Sequence, residues 1–203
     1  FRSSQKEIVL PAHTAAHIPV KIRYIDSGQD FKGTILLMHR IPTWGYLYHA
    51  VIPLLVKEGY RVIAPDFLGH GWSDRRDRFD RSFQDQARMI IALLDNLQLD
   101  AVDVVGHDTG GAVALILAIE HQGRVNRLVI TNAVCYDRFD DDMLDFGHPM
   151  RWNSRPIADL VEALEQSLIE GLSDHSRLTT EFRLGIIAPW ASEEGKLSLL
   201  RNA

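Results

Sequence analysis

The sequence predicts an α/β fold built on a mostly parallel sheet, and three observations predict it. Short, continuously apolar runs at Thr34–Met38 and Arg61–Ala64 have the composition of strands covered by helices on both faces. Such runs alternate with helix-patterned segments, an order that right-handed crossovers convert into parallel strands. After Asn132 the alternation stops and only helical periodicity continues, which marks a change of architecture.

Taken in order, Glu7–Leu10 and Val20–Asp26 read as an antiparallel pair of strands, the second ended by Ser27 and Gly28. From about Tyr46 to Glu58 a helix is expected, with Pro53 as a bend and Gly59 in the left-handed position after its last turn. The clearest helix follows. Phe83, Ala87, Ile90, Ile91, Leu94 and Leu97 recur at helical spacing after Ser82, which is read as one half of a capping box with Asp85. The charged run Arg75–Arg81 ahead of it reads as a solvated loop. Ala101–Val105 is the next strand, Ala112–Ile119 a helix apolar nearly all round and so expected to be buried, and Arg127–Thr131 a further strand. Beyond an acidic stretch, Asp137–Asp145, helical periodicity returns in Ile157, Leu160, Val161, Leu164, Leu168 and Leu172. The expected division is a core of residues 1–134 and a helical cap of residues 135–203. The cap would lie over the carboxyl ends of the strands, where open α/β sheets bind ligands. With no closing strand after it, the chain reads as truncated before the last strands of the core.

With 203 residues, 46% of them hydrophobic, and a net charge of −5, the chain is long enough for one core with an inserted subdomain and too acidic to suggest a nucleic-acid partner. Its single cysteine, Cys135, has no internal partner, and its apolar surroundings predict a buried thiol. Phe1–Lys6 lacks the apolar region of a signal peptide, and no stretch approaches the roughly 18 apolar residues of a membrane span. A cytoplasmic location without a membrane partner is expected. The Asp140-Asp141-Asp142 cluster matches no calcium-loop spacing and reads as a solvated hinge, so neither metal nor cofactor is expected. Oligomeric state is left open.

The chemistry lies at Gly106-His107-Asp108-Thr109-Gly110-Gly111, between a strand and a helix. A turn of the form G-x-nucleophile-x-G holds its central residue on a sharp strand-to-helix bend, with small neighbours that let the backbone close up. Here that residue is Asp108. The helix N-terminus behind it favours negative charge and is expected to keep the carboxylate ionised. A dinucleotide-binding turn fits less well, because the G-x-G-x-x-G spacing is absent.

The stretch from Met38 through His39-Arg40-Ile41-Pro42-Thr43-Trp44-Gly45-Tyr46-Leu47-Tyr48, then Ile52-Pro53, then Arg61 to Asp74, together with the elbow and Leu128–Ala133, resembles the haloalkane dehalogenases of the α/β-hydrolase superfamily. Epoxide hydrolases share much of it. The resemblance implies an α/β-hydrolase fold and an elbow aspartate that displaces a leaving group from an sp3 carbon, forming an ester that histidine-activated water then cleaves. It assigns Asp108 as nucleophile and the backbone amides of Ile41 and Thr109 as the oxyanion hole. Trp44, Phe182 and Trp190 are the expected substrate-binding residues, with Trp190 or Trp152 offering an indole N–H to a leaving halide. A small apolar organic substrate is implied.

Three departures accompany the resemblance. Thr109 stands where dehalogenases of this kind place a tryptophan, and Arg40 stands where the histidine loop has glycine. The acid and histidine expected downstream of the cap have no counterpart; Asn132 holds a position where some dehalogenases keep the acid, while His148 and His175 read as surface or hinge residues. Dehalogenation is the first reading, epoxide hydrolysis the second, and a non-catalytic small-ligand binder the third.

Overall fold

The computed structural model describes residues 1–11, 18–28, 32–135, 152 and 154–202. Six strands form one sheet: β1 Lys6–Leu10, β2 Val20–Asp26, β3 Thr34–Met38, β4 Arg61–Pro65, β5 Val102–His107 and β6 Val125–Thr131, in the order β1-β2-β4-β3-β5-β6. β2 runs antiparallel to β1 and β4, and the other neighbours are parallel. The central strand β3 is buried at every residue. Its alternation divides the core, since Ile35 and Leu37 pack with Val62, Ala64 and Ile52 on one face, and Leu36 and Met38 with Ile63, Met89 and Val113 on the other.

The connections follow from local chemistry. α1 spans Ile52–Lys57, preceded by a separate 3-10 turn over Gly45–Tyr48, so Pro53 does not bend a longer helix. It occupies the first turn, where a missing N–H costs nothing. Gly59 has φ +92°, the left-handed conformation expected of it. α2 spans Phe83–Asn96, and Ser82 Oγ accepts from the Asp85 amide at 3.3 Å. The Ser82 amide itself donates to Asp80, and the Asp85 carboxylate accepts from Arg88 at 2.9 Å. Removing the cap in Ser82→Ala is expected to cost about 1 kcal/mol, measured by urea unfolding.

The run Arg75–Arg81 departs from the solvated loop expected of it. Asp77, Arg78 and Asp80 are exposed, but Phe79 is buried and two arginines turn inward. Arg81 donates to Ser198 and Asn202, and burial pulls its pKa down to about 10. Arg75 lies over the Trp72 and Trp190 rings. Alternating charge does not reveal which side chains find partners more than a hundred residues away.

α3 spans Thr109–Glu120, beginning earlier than the apolar pattern suggests because the two glycines are already helical. Its far end is less buried than expected, with Ile119 68% exposed. Among the described residues β6 pairs with β5 alone, and its Leu128, Val129 and Ile130 are exposed. Cys135, expected to be buried, is exposed.

At the other side of the sheet, Asp26 joins three strands. Its carboxylate accepts from Lys6 at 2.7 Å and from Arg61 at 2.9 and 3.1 Å. Burial pushes its pKa up, but these bonds and the Gly28 amide outweigh it and hold it at about 2. A carboxylate with a depressed folded pKa stabilises the fold above its ordinary value, and that stability is lost as pH falls toward 2. The wild type is therefore expected to lose about 2 kcal/mol relative to Asp26→Asn between pH 5 and pH 2, measured by denaturant titration at each pH.

Three more helices, α4 Ile157–Glu170, α5 Thr180–Ile187 and α6 Glu193–Asn202, form a layer of their own. Leu160, Leu164, Ile187, Trp190 and Leu199 pack with Trp152 and with a single residue from the loop after β3, Ile41. The Asp137–Asp145 stretch, with the Asp140–Asp142 cluster, and His148 lie outside the described residues.

Candidate active site

Asp108 sits between β5 and α3 with φ +54° and ψ −118°, a conformation that is strained for a residue with a side chain. The strand and helix hold it there. Its amide donates to the Thr131 carbonyl of β6 at 3.1 Å, and its carbonyl accepts from Gly111 at 2.9 Å and Ala112 at 3.2 Å. The flanking glycines are required by space. A Cβ at Gly106 would stand 2.5 Å from the Gly110 carbonyl, one at Gly111 2.5 Å from Ala133 Cβ, and one at Gly110 2.6 Å from the His39 carbonyl and closer still to that of Met38. The elbow thus closes directly onto the end of β3.

The loop after β3 is held just as closely. His39 is fully buried: its Nε2 accepts from the Phe67 amide at 3.1 Å, so Nδ1 carries the proton and donates to the Arg40 carbonyl at 3.0 Å. Burial pulls its pKa down to about 4, leaving it neutral. Tyr48 donates to the Met38 carbonyl at 2.8 Å, and Thr43 donates to the Arg40 carbonyl through both its amide and hydroxyl. Buried Asp66 accepts from Gln5, Gly45 and Trp72, each at 2.9 Å, tying the loop to the N-terminal segment; burial pushes this carboxyl up to about 6.

These two turns bring three of the expected residues together. The backbone amides of Thr109 and Ile41 both favour the charged form of the Asp108 carboxylate, whose side chain is 14% exposed. Burial is the largest influence and raises its pKa above the ordinary carboxylate value, opposed by the Arg40 guanidinium, the Thr109 amide, His107 and the Ile41 amide. The helix N-terminus therefore acts in the expected direction, but desolvation outweighs it. The Thr109 hydroxyl and Asp108 Oδ2 are both buried without a hydrogen-bond partner.

A cavity of about 150 Å³ opens between this loop and the helical layer, lined by Arg40, His107, Leu164, Leu168, Phe182 and Trp190 among others. Phe182 is therefore at the cavity, whereas Asp108, Ile41 and Thr109 are not among its lining residues. Trp190 also lines the cavity, but its indole N–H donates to the Pro42 carbonyl at 2.7 Å and is already spent. Trp44 is elsewhere: it is buried against Phe1, Tyr46 and Trp72, and its N–H donates to the Gly185 carbonyl at 2.9 Å. Both indoles fasten the helical layer to the core, across 148 and 141 residues of sequence. Trp152 packs inside that layer, and His175 is exposed. Leu164 and Leu168, legible only as helix periodicity, turn out to line the cavity. No group of His, Cys, Asp and Glu able to hold a metal occurs among the described residues.

The family defined by the alpha/beta hydrolase fold matches residues 33–193. Among curated proteins, the haloalkane dehalogenase of Mycolicibacterium paratuberculosis is 37% identical over 115 residues, 56% of this chain and 38% of its own length. That of Psychrobacter cryohalolentis is 35% identical over 57% of this chain and 38% of its own. The match to these relatives therefore spans less than two fifths of their length. Among solved structures, Cfl2 from Burkholderia cenocepacia superposes with a TM-score of 0.83 at 19% identity, over 98% of this chain and 69% of that one. The haloalkane dehalogenase DpaA from Paraglaciecola agarilytica superposes at 0.74 with 24% identity, over 97% and 64%. Strand order, elbow and family match agree, and the chain belongs to the α/β-hydrolase-fold family.

Proposed function

We propose that the chain carries the nucleophilic half of a cofactor-independent hydrolase similar to haloalkane dehalogenases, in which Asp108 displaces a leaving group from an sp3 carbon of a small, largely apolar substrate. One observation supports this above the rest: a carboxylate on a strained elbow, its charge favoured by two backbone amides, next to Arg40 and His107, which line an apolar cavity. The carboxylate oxygen attacks carbon, the carbon–halogen bond breaks, and halide leaves with the bonding pair. The same two amides then face the carbonyl of the new ester, where negative charge develops when water attacks. Residues 135–203 act as the cap that shapes the cavity. Cleavage of the ester requires a histidine and an acid, and the resemblance places both downstream of the cap.

The test is intact-mass measurement after incubation with 1-bromobutane, in a Cys135→Ser background because the exposed thiol would compete for the reagent. An adduct mapped to Asp108 is expected. An adduct from a terminal epoxide but not from the bromide would shift the reading to epoxide opening, and none from either would overturn it.

A further inference from the structure

We propose that Arg40 is a specificity-determining residue that selects substrates bearing a carboxylate on the carbon under attack; this rests on the nucleophilic role given to Asp108 above. The backbone of Arg40 is pinned, its carbonyl accepting from Thr43 and His39. Its side chain lines the cavity and brings Nε to 3.7 Å from Asp108 Oδ2. That separation gives attraction between the charges but no hydrogen bond, since charge-assisted bonds form at about 2.7–2.9 Å. The Arg40 side chain is 36% exposed, but these two atoms are shielded from solvent and have no hydrogen-bond partner among the described residues. A guanidinium whose Nε has no hydrogen-bond acceptor, at a cavity with no carboxylate among its described lining residues, offers a site for an anion.

The cavity's other N–H groups point to the same conclusion. The Trp190 indole is bonded to Pro42, and His107 Nδ1 lies 3.0 Å from the Thr131 carbonyl and hydroxyl. Position then decides which part of the substrate Arg40 would meet. In an in-line displacement the leaving group departs on the side of carbon opposite the attacking oxygen. Arg40 lies beside the attacking carboxylate, so it faces the substituents of the carbon and not the departing halide. A planar carboxylate there matches the guanidinium fork, and its charge is offset as it approaches anionic Asp108. The reaction balances without a proton or a co-reactant: Asp108 and a 2-haloalkanoate give the carboxyalkyl ester of Asp108 and a halide ion.

The experiment compares bromoacetate with bromoacetamide, which share size and leaving group and differ in charge, by the rate of adduct formation on Asp108 in the Cys135→Ser protein. The bromoacetate-to-bromoacetamide rate ratio is expected to fall at least about tenfold in Arg40→Gln and to be largely kept in Arg40→Lys. Propionate should protect the Arg40 protein from bromoacetate, a measurement that needs no folded variant. An unchanged ratio in Arg40→Gln, or no protection by propionate, would overturn the role of Arg40 while labelling by 1-bromobutane still upheld Asp108. Failure of all three reagents to label Asp108 would sink both.

Discussion

Gly110→Ala is expected to destabilise the chain by about 3–5 kcal/mol, a large share of the 5–15 kcal/mol that holds a typical domain together. The added methyl would stand 2.6 Å from the His39 carbonyl oxygen and closer still to that of Met38. Neither can yield cheaply. Met38 ends the fully buried central strand, and its carbonyl is the acceptor for Tyr48; His39 is locked between Phe67 and Arg40. Relief would have to come from moving α3 away from β3, which would also shift Thr109, the first residue of that helix. Gly123→Ala is the control, because a Cβ there meets nothing within 4 Å. Urea unfolding of the two variants measures the difference, and equal, mild losses would show that the elbow does not need its close approach.

Asp108→Asn is expected to slow adduct formation by at least about 10³-fold with 1-bromobutane, because a carboxamide of the same shape has no anionic oxygen to attack with. The fold should persist. Asparagine tolerates positive φ better than most residues, and the change removes a charge whose burial is unfavourable. The wild-type rate should fall on acidification, because only ionised Asp108 reacts. Since burial raises its pKa, the loss begins at a higher pH than for an ordinary aspartate. Any residual labelling of Asp108→Asn should lack this dependence. Rates from intact mass across pH measure both effects, and a variant that still labelled at the wild-type rate would remove Asp108 from the mechanism.

What could be read in the sequence was whatever depends on near neighbours. The parallel strands announced themselves as short apolar runs, α2 by its spacing and cap, and the elbow by glycines whose need for space is local. Trp44 and Trp190 show where that reading ends. An indole near a site offers either an apolar face or an N–H donor, and which one it uses depends on carbonyls 141 and 148 residues distant. Arg75 and Arg81 show the same limit, since inward and outward arginines look alike in a charged run. Pro53 was legible as a helix-breaking residue but not as a helix-starting one, because the 3-10 turn before α1 uses residues equally at home in a helix. Ile119 and Cys135 are exposed although their own neighbours in sequence are apolar, so composition alone did not place them.

The elbow's contacts have a consequence for how such a protein can change. Asp108 is positioned by glycines, β3, β6 and backbone carbonyls, none of which belongs to the helical layer. Much of the cavity wall comes from that layer, through Leu164, Leu168, Phe182, Ile186 and Trp190. Leu164 packs with Ile41 and Ile186 with Trp44 and Tyr46, but substitutions at Leu168 and Phe182 can reshape the cavity without touching the glycines and carbonyls that aim Asp108. The shape of the cavity can therefore drift over generations of sequence change while Asp108 stays in place, and Trp190, which both lines the cavity and anchors its roof to Pro42, is where that freedom stops.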